Sequence, residues 1–219
     1  MSATLDGLVA RAAALVGRSI ADLAAEAERV APAGGVRTKG RVGELVEVLL
    51  GATGGSGERR VDFPSLGVEL KTIPVDAAGR PHESTFVCAV RIDEDVDFDA
   101  SWVKRKLACV LFVPIVGAKR SSLPERVAGR PVVWRPTPAQ LDQLRADYDD
   151  IMGLIGAGRV EDVSAHLGRY MQLRPKARDG TPRALAFGRD GERIPTVPRG
   201  FYLRARVTEA LLRDPAALP

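Results

Sequence analysis

Cysteine and histidine are nearly absent from this 219-residue chain, with two of each. Two cysteines, Cys88 and Cys109, cannot build a disulfide-stapled secreted domain, and their scarcity fits a reducing cytoplasm. Both fall inside apolar stretches, where a buried, inert thiol is expected. Two histidines, His82 and His166, are too few for a three-histidine zinc site, and neither stands beside a nucleophile-elbow pattern. Long apolar runs are also missing. The uncharged stretch 109–118 falls well short of a membrane span. Asp6 and Arg11 sit within a helical pattern near the N-terminus, which argues against a secretory leader. These absences exclude the secreted, membrane and zinc-ribbon classes.

What is present is ordinary in amount and uneven in placement. Apolar types make up 45% and charged types 27%, near the globular average. That length predicts one domain or two closely packed lobes with a sizeable core. The net charge of +4 conceals an asymmetry. Residues 1–100 carry 11 basic and 16 acidic side chains, and residues 101–219 carry 21 and 12. Between Gly168 and Arg206 there are ten Lys or Arg against Asp179, Asp190 and Glu192. A polyanion such as nucleic acid is the natural partner of such a region. An arginine-rich solvated surface is the plainer explanation of the same charge.

The patterning predicts helices over the first 51 residues. Leu5, Leu8, Val9, Ala12, Leu15 and Val16 recur at helical spacing. Ser19 and Asp22 form a capping-box pattern for a second helix, which Pro32 and Gly34-Gly35 end. A third helix runs from Gly40 to Leu50, followed by a glycine-rich loop that lacks the Lys-Ser/Thr pair of a nucleotide phosphate loop. Strands are expected at 67–73, 85–91 and 107–113, the last buried on both faces. The acidic run Asp93 to Asp99 lacks calcium-loop spacing and reads as a solvated connection. Residues 138–153 are again helical, and a last helix lies near Val207–Arg213. From Gly40 onward the order is helix, strand, strand, strand, helix, strand. That is an α/β layer architecture with a mixed sheet.

The best-placed chemistry is carboxylate chemistry. Asp62 begins one strand, and Glu69-Leu70-Lys71 occupies the next. A strand period of two puts Glu69 and Lys71 on one face, with Leu70 anchored in the core. Asp62 then meets them across the turn. Two converging carboxylates form a hard oxygen site suited to Mg2+, and a nearby lysine can orient or deprotonate water. Phosphodiester hydrolysis needs those parts. Glu47, on the side of the third helix away from Leu45 and Leu49, adds a further acid. An ordinary ion pair on an exposed strand is the alternative, since a Glu-x-Lys triplet alone is weakly specific.

Longer blocks are far more specific. They are Gly67-Val68-Glu69-Leu70-Lys71-Thr72-Ile73-Pro74-Val75-Asp76, then Gly79-Arg80-Pro81 and Thr85-Phe86-Val87-Cys88. Lys39-Gly40, Leu45-Val46-Glu47 and Leu50-Gly51-Ala52 precede them. Arg174-Pro175-Lys176-Ala177 and Pro198-Arg199-Gly200-Phe201-Tyr202-Leu203 follow. In this order the set resembles the MutH family, the strand-discriminating endonucleases of methyl-directed DNA mismatch repair, over nearly the whole chain. Arg41 and Glu44 depart from the pattern by placing charge where relatives are often apolar or aromatic.

The resemblance implies a restriction-endonuclease-like α/β fold. Its mixed sheet is flanked by helices, and residues 1–219 form a single domain with two lobes around a DNA-binding cleft. It implies nicking of the unmethylated strand 5′ of the G in hemimethylated GATC with Mg2+, and activation by MutL after MutS finds a mismatch. Asp62 and Glu69 become metal ligands, with the Leu70 carbonyl a third. Lys71 becomes the water-positioning base or transition-state cation, Glu47 a supporting acid, and Lys106 a phosphate contact. DNA reading falls to Lys39, Gly40, Phe86, Arg174, Pro175, Lys176 and Tyr202. Arg174 and Lys176 suit the major groove, and Gly40 lets backbone approach DNA closely. Phe86 suits stacking or a wedge, with plain strand core as its alternative. Tyr202 is rigid enough to sense an adenine N6-methyl group, with half-buried packing as its alternative. A cytoplasmic monomer is expected. A stand-alone GATC restriction endonuclease and a non-catalytic DNA-binding regulator on the same fold are the competing functions. A single Asp…Glu-x-Lys set argues against the first, and its intactness against the second.

Overall fold

The capping signal at Ser19 is realised as written. In the computed structural model, which describes residues 4–28, 40–54, 59–90, 97–118, 120–176, 184–216 and 218, Ser19 Oγ accepts from Asp22 N at 3.1 Å. The Ser19 N–H returns a bond to Asp22 Oδ2 at 3.3 Å, and α2 (Ile20–Glu26) follows. Thr4 caps α1 (Leu5–Ala13) with its side chain alone, which accepts from Gly7 N, and α3 (Arg41–Leu50) stops where Gly51 turns left-handed. The expected ends at Pro32 and Gly34-Gly35, and most of the acidic run 93–99, lie outside the described residues.

The remaining elements are β1 (Glu69–Val75), β2 (Thr85–Ala89), α4 (Trp102–Leu107), β3 (Val110–Val116), β4 (Val127–Ala128) and β5 (Val132–Trp134). Then come α5 (Pro138–Gly156), β6 (Met171–Pro175), β7 (Ala184–Phe187), β8 (Arg193–Thr196), β9 (Arg199–Leu203) and α6 (Ala205–Arg213). They fall into two compact units. The first comprises residues 1–83, 108–135 and 209–217, and the second the rest.

In the first unit β1 runs parallel to β3, with Glu69 opposite Val110 and Lys71 opposite Phe112. The antiparallel β4 and β5 line the other side of β3, which makes the sheet mixed, as expected, and leaves β1 at its edge. Leu8, Leu23, Leu45, Val46 and Leu50 from the three helices share one core with Leu70, Leu111, Val113 and Ile115. The second unit centres on β9, flanked by antiparallel β2 and β6. Phe201 stacks on Tyr148 of α5 at 5.4 Å and seals its core.

Element ends shift by a few residues throughout, and two differences from the sequence reading matter most here. The third strand covers 110–116, because its N-terminal part is the short helix α4. Pro114 can lie inside it because β5 pairs with 110–112 and β4 with 115–116, leaving no strand partner on that side at Pro114. Asp62 does not begin a strand. It precedes a tight turn closed by a single Phe63–Val68 bridge, in which Gly67 adopts a φ of 65°.

Candidate functional site

That turn is what aims Asp62. The Leu70 N–H donates to Asp62 Oδ2 at 2.7 Å, so the carboxylate folds back onto the start of β1. The Asp62 carbonyl accepts from Thr53 N at 3.1 Å and Gly54 N at 3.0 Å, tying the other side of the bend to the segment after α3. Strand alternation then places Glu69 and Lys71 together: Lys71 Nζ lies 2.5 Å from Glu69 Oε1, with Glu69 1% exposed. Leu70 is anchored in the core at 4%. Glu47 joins from α3. Its burial, and then the Asp62 carboxylate, push the Glu47 carboxyl above its ordinary range; Lys71 opposes the shift, and Glu44 and Glu69 add to it. The four side chains named from the sequence are therefore neighbours within one unit. Among the described residues no group of three or more His, Cys, Asp or Glu is gathered tightly enough to hold a metal. The oxygen donors present are the Asp62 and Glu69 carboxylates and the Leu70 carbonyl.

The second unit brings a different set together. Across its sheet Phe86 faces Tyr202, and Tyr202 faces Gln172. Phe86 and Tyr202 meet edge to face at 5.2 Å, both half-buried, while Phe201 and Leu203 point into the core. The Lys176 ammonium stands 4.7 Å over the Phe86 ring, and the Arg174 guanidinium 5.8 Å from the Tyr202 centroid. Both cations rest on aromatic faces, and among the described residues neither pairs with a carboxylate. The Phe86 ring needs Gly200 beneath it. A Cβ there would stand 2.7 Å from Phe86 Cε2.

Other expected residues are placed singly. Pro175 is exposed at the end of β6, and Gly40 is the N-cap residue of α3 with no side-chain cap. Lys106 is half-buried, 5.2 Å over the Trp102 ring. Lys39 lies outside the described residues. Cys88 and Cys109 are buried, as expected.

Sequence reasoning missed Ser84, which accepts from Arg174 Nη1 at 2.8 Å. It also missed the clamp that sets β6 against β9. Asp147, 2% exposed on α5, accepts from the N–H groups of Arg169, Tyr170 and Met171 at 2.7, 2.6 and 2.7 Å. From the other side Arg204 donates to the carbonyls of Gly168, Ala165 and Leu167 at 3.0, 3.0 and 2.9 Å. Parity from Tyr202 would have put Arg204 on the reading face; nothing in the sequence marks Asp147 among its acidic neighbours.

Comparisons with known proteins identify relatives of the chain. Residues 50–147, which hold Asp62, Glu69 and Lys71, match the family model described as DNA mismatch repair enzyme MutH. The chain is 44% identical over 211 residues to the DNA mismatch repair protein MutH of Escherichia coli O6:K15:H31 (strain 536), covering 95% of this chain and 92% of that one. The MutH proteins of Shigella flexneri serotype 5b (strain 8401) and Escherichia coli O139:H28 (strain E24377A) match with the same identity and coverage. With nearly all of both chains aligned and the carboxylate–lysine constellation assembled, this chain belongs to the MutH family of DNA mismatch repair enzymes.

Proposed function

We propose that this mismatch-repair endonuclease binds hemimethylated GATC in duplex DNA and, with Mg2+, nicks the unmethylated strand 5′ of the G. The observation that carries the reading is Asp62 folded back on β1 beside the Glu69–Lys71 pair, with Glu47 adjacent. Asp62 and Glu69 would hold the ion, with the Leu70 carbonyl as a third oxygen. An all-oxygen set with two carboxylates suits Mg2+, which commonly keeps several waters. When bound, the ion supplies charge neutralisation at the phosphate and a lowered water pKa. Lys71 shares its present partner with the ion. With an ion on Glu69, the Lys71 ammonium would be placed to face the attacking water or the phosphate. Glu47, whose proton affinity is raised, takes or returns a proton beside them.

Reading the site falls to both units. Arg174 pairs with guanine in the major groove, Tyr202 senses the adenine methyl group, and Phe86 stacks or wedges. Lys39, Gly40, Lys106, Pro175 and Lys176 contact the backbone and flanking groove. We read the two units as the two lobes of one endonuclease domain, residues 1–219, acting in the cytoplasm as a monomer activated by MutL after MutS. The test is incubation with Mg2+ and supercoiled plasmid that is unmethylated, hemimethylated or fully methylated at GATC. Nicked circles from the first two and none from the third are expected. Linear product from a dimer supports a restriction endonuclease, and binding without any cut supports a regulator.

A further inference from the structure

A cavity of about 340 Å3 in the second unit is lined by Ser84, Gln172, Arg174, Arg204, Ala205 and Arg206. Its wall carries three guanidiniums, a hydroxyl and an amide, and no carboxylate. Each arginine is anchored on an uncharged acceptor. Arg174 donates to the Ser84 hydroxyl, Arg206 Nη2 to the Arg169 carbonyl at 3.3 Å, and Arg204 to its three carbonyls. Among the described residues none of the three forms an ion pair. Guanidiniums stay protonated at any working pH, so three positive charges converge on one space. Burial, and then the neighbouring Arg206 charge, lower the Arg204 pKa, with Asp147 opposing.

Gln172 adds an amide to the same wall. The residue is 9% exposed and opposes Tyr202 on β9. A ligand oxygen can accept from its N–H. The leading N–H groups of α6, which opens at Ala205, add partial positive charge to the same wall. The volume sits at the small end of ligand pockets, enough for a phosphate with its attached sugar atoms.

We propose that this cavity seats one phosphodiester group of the DNA backbone, held by Arg204, Arg206 and the Gln172 amide. The inference rests on the DNA-acting function above. It adds a backbone anchor beside Arg174, which is otherwise free to reach a base edge. Arg206 is the residue to test, because it is exposed and among the described residues its side chain makes one hydrogen bond, to backbone.

Binding is measured in EDTA, where no cutting occurs, on a GATC duplex and on a duplex lacking GATC. Arg206→Ala should weaken both equally, roughly 3- to 10-fold near 0.1 M salt, and reduce the slope of log K against log salt by about 1. Arg206→Lys should restore the slope, and a thermal melt checks that both variants fold. Methylphosphonate placed singly along the duplex should reveal one position that costs the wild type affinity and costs Arg206→Ala nothing further. An unchanged slope, or a loss confined to the GATC duplex, overturns the proposal. So does inorganic phosphate that stabilises the wild type through Arg206 while the DNA slope stays unmoved, which would make this a free-anion site. Wild-type protein that binds no duplex at all overturns the DNA-acting function as well. Normal wild-type binding with an unaffected variant overturns the cavity assignment alone.

Discussion

Adding a single methyl group at Gly200 isolates the coupling between Phe86, Tyr202 and Lys176. In Gly200→Ala the new Cβ meets Phe86 Cε2 at 2.7 Å and the Cys88 carbonyl oxygen at 3.0 Å. Carbon atoms pack well at about 3.5–4.0 Å, so the ring must retreat by roughly 1 Å. The ring cannot move freely, since it stands edge-on to Tyr202 at 5.2 Å and under Lys176 at 4.7 Å. Overpacking of this kind costs about 1–3 kcal/mol, a drop of roughly 2–10 °C in Tm for a chain of this size. In a Phe86→Ala background the ring clash disappears and only the carbonyl contact remains. The same glycine substitution should then cost at least about 1 kcal/mol less. Urea unfolding of the wild type, both single variants and the double variant gives the coupling from the midpoints, provided the slopes agree. Equal costs in the two backgrounds would show that Gly200 is not shaped by the Phe86 ring, and the packing argument fails.

Asp62→Asn, Glu69→Gln and Lys71→Gln should each reduce nicking at least about 100-fold while duplex binding in EDTA changes less than about threefold; parallel loss of binding in a folded variant would contradict their assignment. Glu47→Gln should stabilise the metal-free protein at neutral pH yet slow nicking. The folded carboxyl has a raised pKa, so the folded state binds more protons than the unfolded one just above the ordinary value of 4.5, and stability falls as pH rises through that window. Thermal melts of wild type and variant from pH 4 to 8 in EDTA check it, and a lower Tm for the variant at pH 7.5 refutes it. Tyr202→Ser should keep nicking on unmethylated GATC and narrow the preference over methylated DNA, read as a ratio of single-turnover rates. An unmoved ratio would place the methyl sensor elsewhere.

The candidate site was more legible in the sequence than the boundaries around it. Glu69, Leu70 and Lys71 follow from strand alternation alone, and the Ser19–Asp22 capping box from local chemistry, because both are decided within a few residues. Asp62 was named from the sequence but set on a strand that it does not begin. Its placement depends on a bridge between Phe63 and Val68 and on the left-handed Gly67, which hydrophobic period does not report. The helix α4 was hidden because its six residues are too few for a period, and Leu107 at its end reads as the start of the following strand. The β6–β9–β2 surface was legible only as separate motifs. Tyr202, Phe86 and Arg174 meet through pairings between distant segments, so the cavity beside them and its Gln172 and Arg206 could not be foreseen.

Among the described residues the strand that carries Glu69 and Lys71 is an edge strand of its sheet, paired with β3, while on its other side Asp62 takes the Leu70 N–H and His82 N donates to the Pro74 carbonyl. An open edge invites another chain to pair with it, and proteins blunt that invitation with inward-pointing charges and proline. Glu69 and Lys71 supply the charges and Pro74 the proline on β1. The residues assigned to catalysis therefore also act as gatekeepers against self-association. Replacing them with alanine would leave a flatter, more apolar edge, Leu70 to Val75, able to template fibril-like stacking. Aggregation during expression would then masquerade as a defect in chemistry, whereas the polar replacements Asn and Gln keep the edge guarded.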